Sequence, residues 1–144
     1  MMDSKDFQRL VKSLSLSIIQ PTKIDFERLG EIPAGENNVQ ISWKMIYPKD
    51  APFVIENDVL NLAPLFEVTL SCNDTPVYSH KSIFIILMNI INKEEFETLW
   101  KDEEIQNFFR EKQVLKTLWP IVRQQVLDGM SRLALPPVSL PWLM

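Results

Sequence analysis

Few residues in this sequence could carry covalent chemistry. His80 is the only histidine and Cys72 the only cysteine among 144 residues. One histidine excludes a two-histidine metal site within one chain, and one cysteine removes every CxxC arrangement. His80 could join Asp74 or Asp58 in a Ser-His-Asp arrangement. It sits, however, in an alternating run, Tyr78-Ser79-His80-Lys81-Ser82, with no nucleophile-elbow motif. Cys72 falls on the apolar side of a period-two pattern, the position of a core thiol rather than a nucleophile. The acids Glu94-Glu95 and Asp102-Glu103-Glu104 stand at expected helix starts, where carboxylates favour the helix dipole. Gly30, Gly35 and Gly129 are the only glycines, so no phosphate-binding loop or dinucleotide fingerprint can be written. The expectation is a protein without catalytic residues, cofactor or metal.

Large apolar side chains are abundant instead: eight Phe, four Trp and six Met. Most belong in a core. Phe53-Val54-Ile55 stands apart, because it falls in an expected loop. Trp142 and Leu143 stand apart too, in a proline-rich tail. Apolar groups in loops and tails mark contact surfaces for a partner, an oligomer or a peptide.

The elements that must hold these residues follow from periodicity. Phe7, Leu10, Val11 and Leu14 predict a short amphipathic helix over 3–13. The period then becomes two through Leu14, Leu16, Ile18, Ile24 and Phe26, with Pro21 indicating an edge strand or bulge. Val39 to Tyr47 alternates cleanly. A third strand is expected over about 60–72 and a fourth from Val77 to about Met88. Ile83 to Met88 is apolar on both faces, so a cover is expected on both sides. Asn92 starts a short helix bearing Phe96, Leu99 and Trp100. A long helix over 113–133 carries the stripe Leu115, Leu118, Trp119, Val122, Val126, Met130 and Leu133, starting or kinking near Pro120. Strands grouped before helices predict a single α+β domain over 1–144 with an antiparallel sheet of four strands. A short helix and the long C-terminal helix should pack on one face, with one more short helix at the N-terminus.

Net charge is -4, with 15 Lys+Arg against 19 Asp+Glu. The best basic cluster, Lys112, Lys116 and Arg123, is sparse, so nucleic acid is not expected as a partner. The polar start has no signal-peptide pattern, and no apolar run is long enough to insert in a bilayer. A cytoplasmic location is the expectation.

The C-terminal third resembles the SecB family of bacterial export chaperones. The likeness rests on Leu118-Trp119-Pro120-Ile121-Val122-Arg123 at the long helix, on Met130-Ser131-Arg132 at its end, and on the segment Leu135-Pro136-Pro137-Val138-Ser139-Leu140. Upstream, only the order and spacing of strands agree. The resemblance implies an ATP-independent holdase that binds unfolded polypeptides in apolar grooves. The implied groove is the connection Ala51, Pro52, Phe53, Val54 and Ile55 together with Phe96, Leu99 and Trp100. It implies homo-oligomers, dimers of dimers, through the long helix at Leu118, Val122, Val126, Gly129 and Met130. Export members also dock the translocation motor through an acidic sheet face and a basic tail. Here Lys23 and Arg28 dilute Glu27 and Asp74, and the sequence stops at Met144 without such a tail. A chaperone dedicated to one partner, such as an antitoxin, is the alternative.

Overall fold

A computed structural model describes residues 4–33 and 38–136. Pro137, Trp142 and Leu143 of the expected tail lie outside the described residues. The chain opens with α1 (Ser4–Lys12), whose Leu10 is fully buried. Arg9 of this helix pairs with Glu95, and the guanidinium holds that carboxyl below its ordinary range. The chain then enters the sheet as β1 (Leu14–Arg28) and β2 (Val39–Ile46). It continues through β3 (Val54–Glu56), β4 (Val59–Leu62), β5 (Leu65–Cys72) and β6 (Thr75–Ile90).

The expected four strands are six. Two local causes account for the difference. Ala63-Pro64 breaks the expected third strand into β4 and β5, since proline cannot donate to a ladder. Val54-Ile55-Glu56, expected as loop, turns back on β4 through Asn57 and Asp58, both at positive φ (53° and 59°). Asn and Asp tolerate that region, so the pair makes a two-residue hairpin turn. Asn73 and Asp74 repeat the device between β5 and β6 (φ 52° and 67°).

The six segments still fill a sheet only four positions wide. β6 is the hub. One of its edges pairs with β1 from Leu14↔Ile90 to Arg28↔Tyr78. Its other edge pairs first with β5 and then with β4. β2 lies outside β5, and β3 outside β4. Pro21 lies in β1, an edge strand with register shifts around Ser17 and Thr22, as its residue type requires.

The helices cover one face. Asn92 caps α2 (Lys93–Trp100) by accepting from the Glu95 N–H at 3.2 Å. Asp102 caps α3 (Glu103–Phe108) in the same manner, through the Glu104 N–H at 2.9 Å. A π-helical turn, Phe109–Gln113, leads into α4 (Val114–Arg132). The expected start or kink near Trp119 is replaced by a helix that runs through Pro120. Pro120 and Lys116 are both exposed, so the carbonyl left without its N–H partner faces water.

The core lies between this layer and the inner sheet face. Phe66, Val68, Leu70, Phe84 and Ile86 meet Phe96, Phe109, Val114, Leu118 and Val122, all at 1% exposure or less. The alternation along β5 is regular: Phe66, Val68, Leu70 and Cys72 point inward, Leu65, Glu67, Thr69 and Ser71 outward.

Candidate binding groove

Ile55 is the middle residue of β3. The pleat that sends Val54 and Glu56 to the outer sheet face turns Ile55 toward α2. There it lines two adjoining hollows. One, about 250 Å³, is bounded by Ile55, Asp58, Ile90, Lys93 and Phe96. The other, about 380 Å³, is bounded by Ile55, Phe96, Trp100, Lys101 and Gln106. Ile55, Phe96 and Glu97 are common to both, so the hollows form one groove along α2.

Its floor is aromatic. Phe96 stacks on Trp100 at 5.2 Å between centroids, and Phe53 meets Trp100 edge-on at the same distance. Arg110 lies over the Phe53 ring at 6.0 Å and over Tyr47 at 5.6 Å. Tyr47 donates to the Arg110 carbonyl at 3.0 Å, and burial pushes its phenol well above the ordinary range. It stays a neutral donor. The rim is charged. Lys93 and Glu97 of α2 and Lys101 at its C-cap recur every four residues, one above another, and Lys93 reaches Asp58 at 3.6 Å. The Trp100 indole N–H is buried without a hydrogen-bond acceptor among the described residues.

Of the eight groove residues expected from sequence, Phe53, Ile55, Phe96 and Trp100 converge here. Ile55 is 45% exposed, while Phe96 and Trp100 show only their edges. Leu99 is a core residue. Val54 lies on the opposite face of the sheet. Ala51 is exposed and Pro52 half-buried, and neither lines the hollows. The rim of Lys93, Glu97 and Lys101 was missed, although its four-residue spacing is visible in the sequence.

The five α4 residues expected at an oligomer contact all point inward. Leu118, Val122, Val126 and Met130 are fully buried against the chain's own sheet. Gly129 is buried as well: a Cβ there would collide with the Tyr78 hydroxyl and stand 3.2 Å from Phe26. The apolar stripe identifies the inward face of a helix, and in this chain that face is already occupied.

His80 is equally sealed. Its Nδ1 faces the Tyr78 hydroxyl at 3.4 Å, and its Nε2 faces Gln125 Oε1 at 3.2 Å and Ser82 at 3.3 Å. Gln125 Oε1 can only accept, so Nε2 carries the proton and Nδ1 accepts from Tyr78. Burial lowers the imidazole's pKa. Ser82 is fully buried, so this serine–histidine pair has no route to a substrate. Cys72 is buried too, and no group of three His, Cys, Asp or Glu able to hold a metal occurs among the described residues. No described helix is long and apolar enough to cross a membrane.

A four-position antiparallel sheet, covered on one face by a short helix and a long C-terminal helix, is a SecB-like fold. A solved structure makes the likeness concrete: the SecB-like chaperone Rv1957 of Mycobacterium tuberculosis, in complex with a ChAD peptide from the HigA1 antitoxin. It superposes with a TM-score of 0.69 at 17% identity, over 98% of each chain. A protein of unknown function from Streptococcus agalactiae aligns with a TM-score of 0.38 at 14% identity, over 90% of this chain and 97% of its own, too distant to inform the fold. No protein-family model matches the sequence, and no curated protein matches it.

Proposed function

We propose that this chain is an ATP-independent, SecB-like chaperone that holds non-native polypeptide in the groove between β3 and α2. The observation that carries the reading is the open apolar groove itself, with exposed Ile55 above the Phe96–Trp100 floor and Phe53 at its side. Burying roughly 1,000 Å² of apolar client surface gives on the order of 25 kcal/mol gross. Ordering the client cancels most of this. What remains holds a chain without trapping it, and non-directional contacts accept many sequences. Lys93, Glu97 and Lys101 add a charged border on which client charges can be discriminated.

The test is suppression of aggregation of a chemically unfolded, unrelated protein without ATP. Ile55→Asp should abolish suppression while the far-UV circular dichroism stays unchanged, because Ile55 is already half in water. Trp100→Asp is a poor probe, since it would bury a carboxylate. Undiminished suppression by a folded Ile55→Asp variant would remove the groove from the reading.

A second reading has its own support. The structural neighbour is bound to a peptide from an antitoxin. A chaperone dedicated to one partner would form a stoichiometric complex with that partner and fail the general assay. An export role adds docking on the translocation motor, which titration with the purified motor would detect. We also infer a homo-oligomer working in the cytoplasm. The outer edge of β1, a strand of 15 residues that no other described strand pairs on that side, supports assembly.

A further inference from the structure

The π-helical turn Phe109–Gln113 touches both sides of the groove. Its wider spacing, closed by the Val114 N–H on the Phe109 carbonyl, fits one extra residue into the turn. Phe109 enters the core at 1% exposure and meets Trp100, on the floor, edge-on at 5.8 Å. Arg110, the next residue, meets the wall. Its guanidinium carbon lies 5.6 Å from the centre of the Tyr47 ring and 6.0 Å from that of Phe53. Tyr47 and Phe53 are the first and last residues of the connection between β2 and β3. One guanidinium therefore holds both ends of it. The Arg110 backbone adds a third contact, since its carbonyl accepts from the Tyr47 hydroxyl at 3.0 Å. Among the described residues this is the one hydrogen bond between the connection and the helical layer. The guanidinium is itself held from α3: Nη2 donates to Asn107 Oδ1 at 2.6 Å, and Nε to the Gln106 carbonyl at 3.5 Å.

We propose that Arg110 is a positioning residue of the groove: it holds the connection between β2 and β3 as a standing wall, with Phe53 set against Trp100. The inference rests on the reading of this groove as the client site, and adds what keeps the site shaped for a client. Without that hold the connection would be a free strap. Each client would have to order it, and the lost entropy would weaken binding. A wall set in advance removes that loss. Residue type matters here. A guanidinium is flat and weakly hydrated, so it lies against two rings while its N–H groups bond elsewhere. An ammonium in its place is a strongly hydrated point charge and stacks poorly. The Trp100 indole N–H reports on the arrangement. It is buried without an acceptor among the described residues, so the side chains around it, Phe53 included, are what seal it from water.

Nuclear magnetic resonance of the client-free protein is the first test, with the Trp100 indole signal assigned by Trp100→Phe. Arg110→Ala should speed exchange of that indole proton with water by about tenfold or more, and leave the Trp43 and Trp119 signals in place. Arg110→Lys should fall between the parent and Arg110→Ala. In a Phe53→Leu background Arg110→Ala should add little, because the ring it acts through is gone. Binding of a chemically unfolded, unrelated protein is the second readout. Arg110→Ala should raise its dissociation constant by about fivefold or more. Far-UV circular dichroism checks that each variant is folded. A folded Arg110→Ala variant that keeps the parent's indole exchange, or keeps its affinity for the client, overturns the proposal. Weaker client binding with an unchanged indole would make Arg110 a direct client contact instead. An effect on the indole undiminished by Phe53→Leu also overturns it. A parent that binds no client removes the function proposed above, while the indole exchange still decides whether Arg110 holds the wall.

Discussion

Gly129 shows how one position can look like an interface and be a joint inside the monomer. Without a side chain it lets the Tyr78 hydroxyl and Phe26 approach α4. Gly129→Ala adds helix propensity but drives its methyl into that hydroxyl. The net cost should be about 1–3 kcal/mol in urea unfolding, and Tyr78→Phe should recover part of it in the double variant. His80 makes a prediction about acid. Its folded-state pKa lies below the unfolded value, so above about pH 7.5 both states are almost wholly neutral and the group gives no slope. As pH falls below that value the unfolded chain takes the proton first, and stability declines. The partners of His80 are Tyr78, Ser82 and Gln125, none an anion; the Asp128 carboxylate on α4 acts on Tyr78, whose phenol it helps to raise. It is the only histidine, so a decline between pH 7 and 5.5 belongs to it. His80→Gln should flatten urea midpoints measured across that interval.

The helices and strands themselves were legible to different degrees, for physical reasons. Periodicity found α1, β2, β6, α2 and the long helix, because each has one buried face and a period to match. It did not find β3. Three residues are too few to show a period, and the strand exists because Asn57-Asp58 turns it onto β4. It also ran β4 and β5 together, since alternation passes through Pro64 unbroken while the ladder does not. The groove was half legible: an expected loop position singled out Phe53-Val54-Ile55, and the family resemblance implied Phe96, Leu99 and Trp100, but only the pleat decides that Ile55 faces α2 and Val54 does not. At Pro120 the sequence indicates a break that the helix does not make. The missing hydrogen bond remains, however. Pro120→Ala should raise stability by about 1–3 kcal/mol by restoring the bond to the Lys116 carbonyl. Equal urea midpoints would mean that α4 is already adapted to the ring.

Across the whole molecule the sheet divides labour between its faces. One face is consumed by the helices. The groove lies at the margin of that helical layer, where β3 leaves α2 partly uncovered. No described element packs over the outer face. Surfaces on opposite sides of a sheet should act independently. Ile85→Lys on that face should therefore leave suppression of aggregation unchanged, whereas Ile55→Asp should lose it.

The position of β1 also bears on how the protein is made. Arg28 pairs with Tyr78 and Leu14 with Ile90, so β1 leaves the ribosome roughly fifty or more residues ahead of its only described partner strand. At ~5–20 residues per second, its apolar side chains wait on the order of 3–15 s before they can pair. During that interval the nascent chain is itself an unfolded, aggregation-prone polypeptide, of the kind proposed as the client of its finished groove.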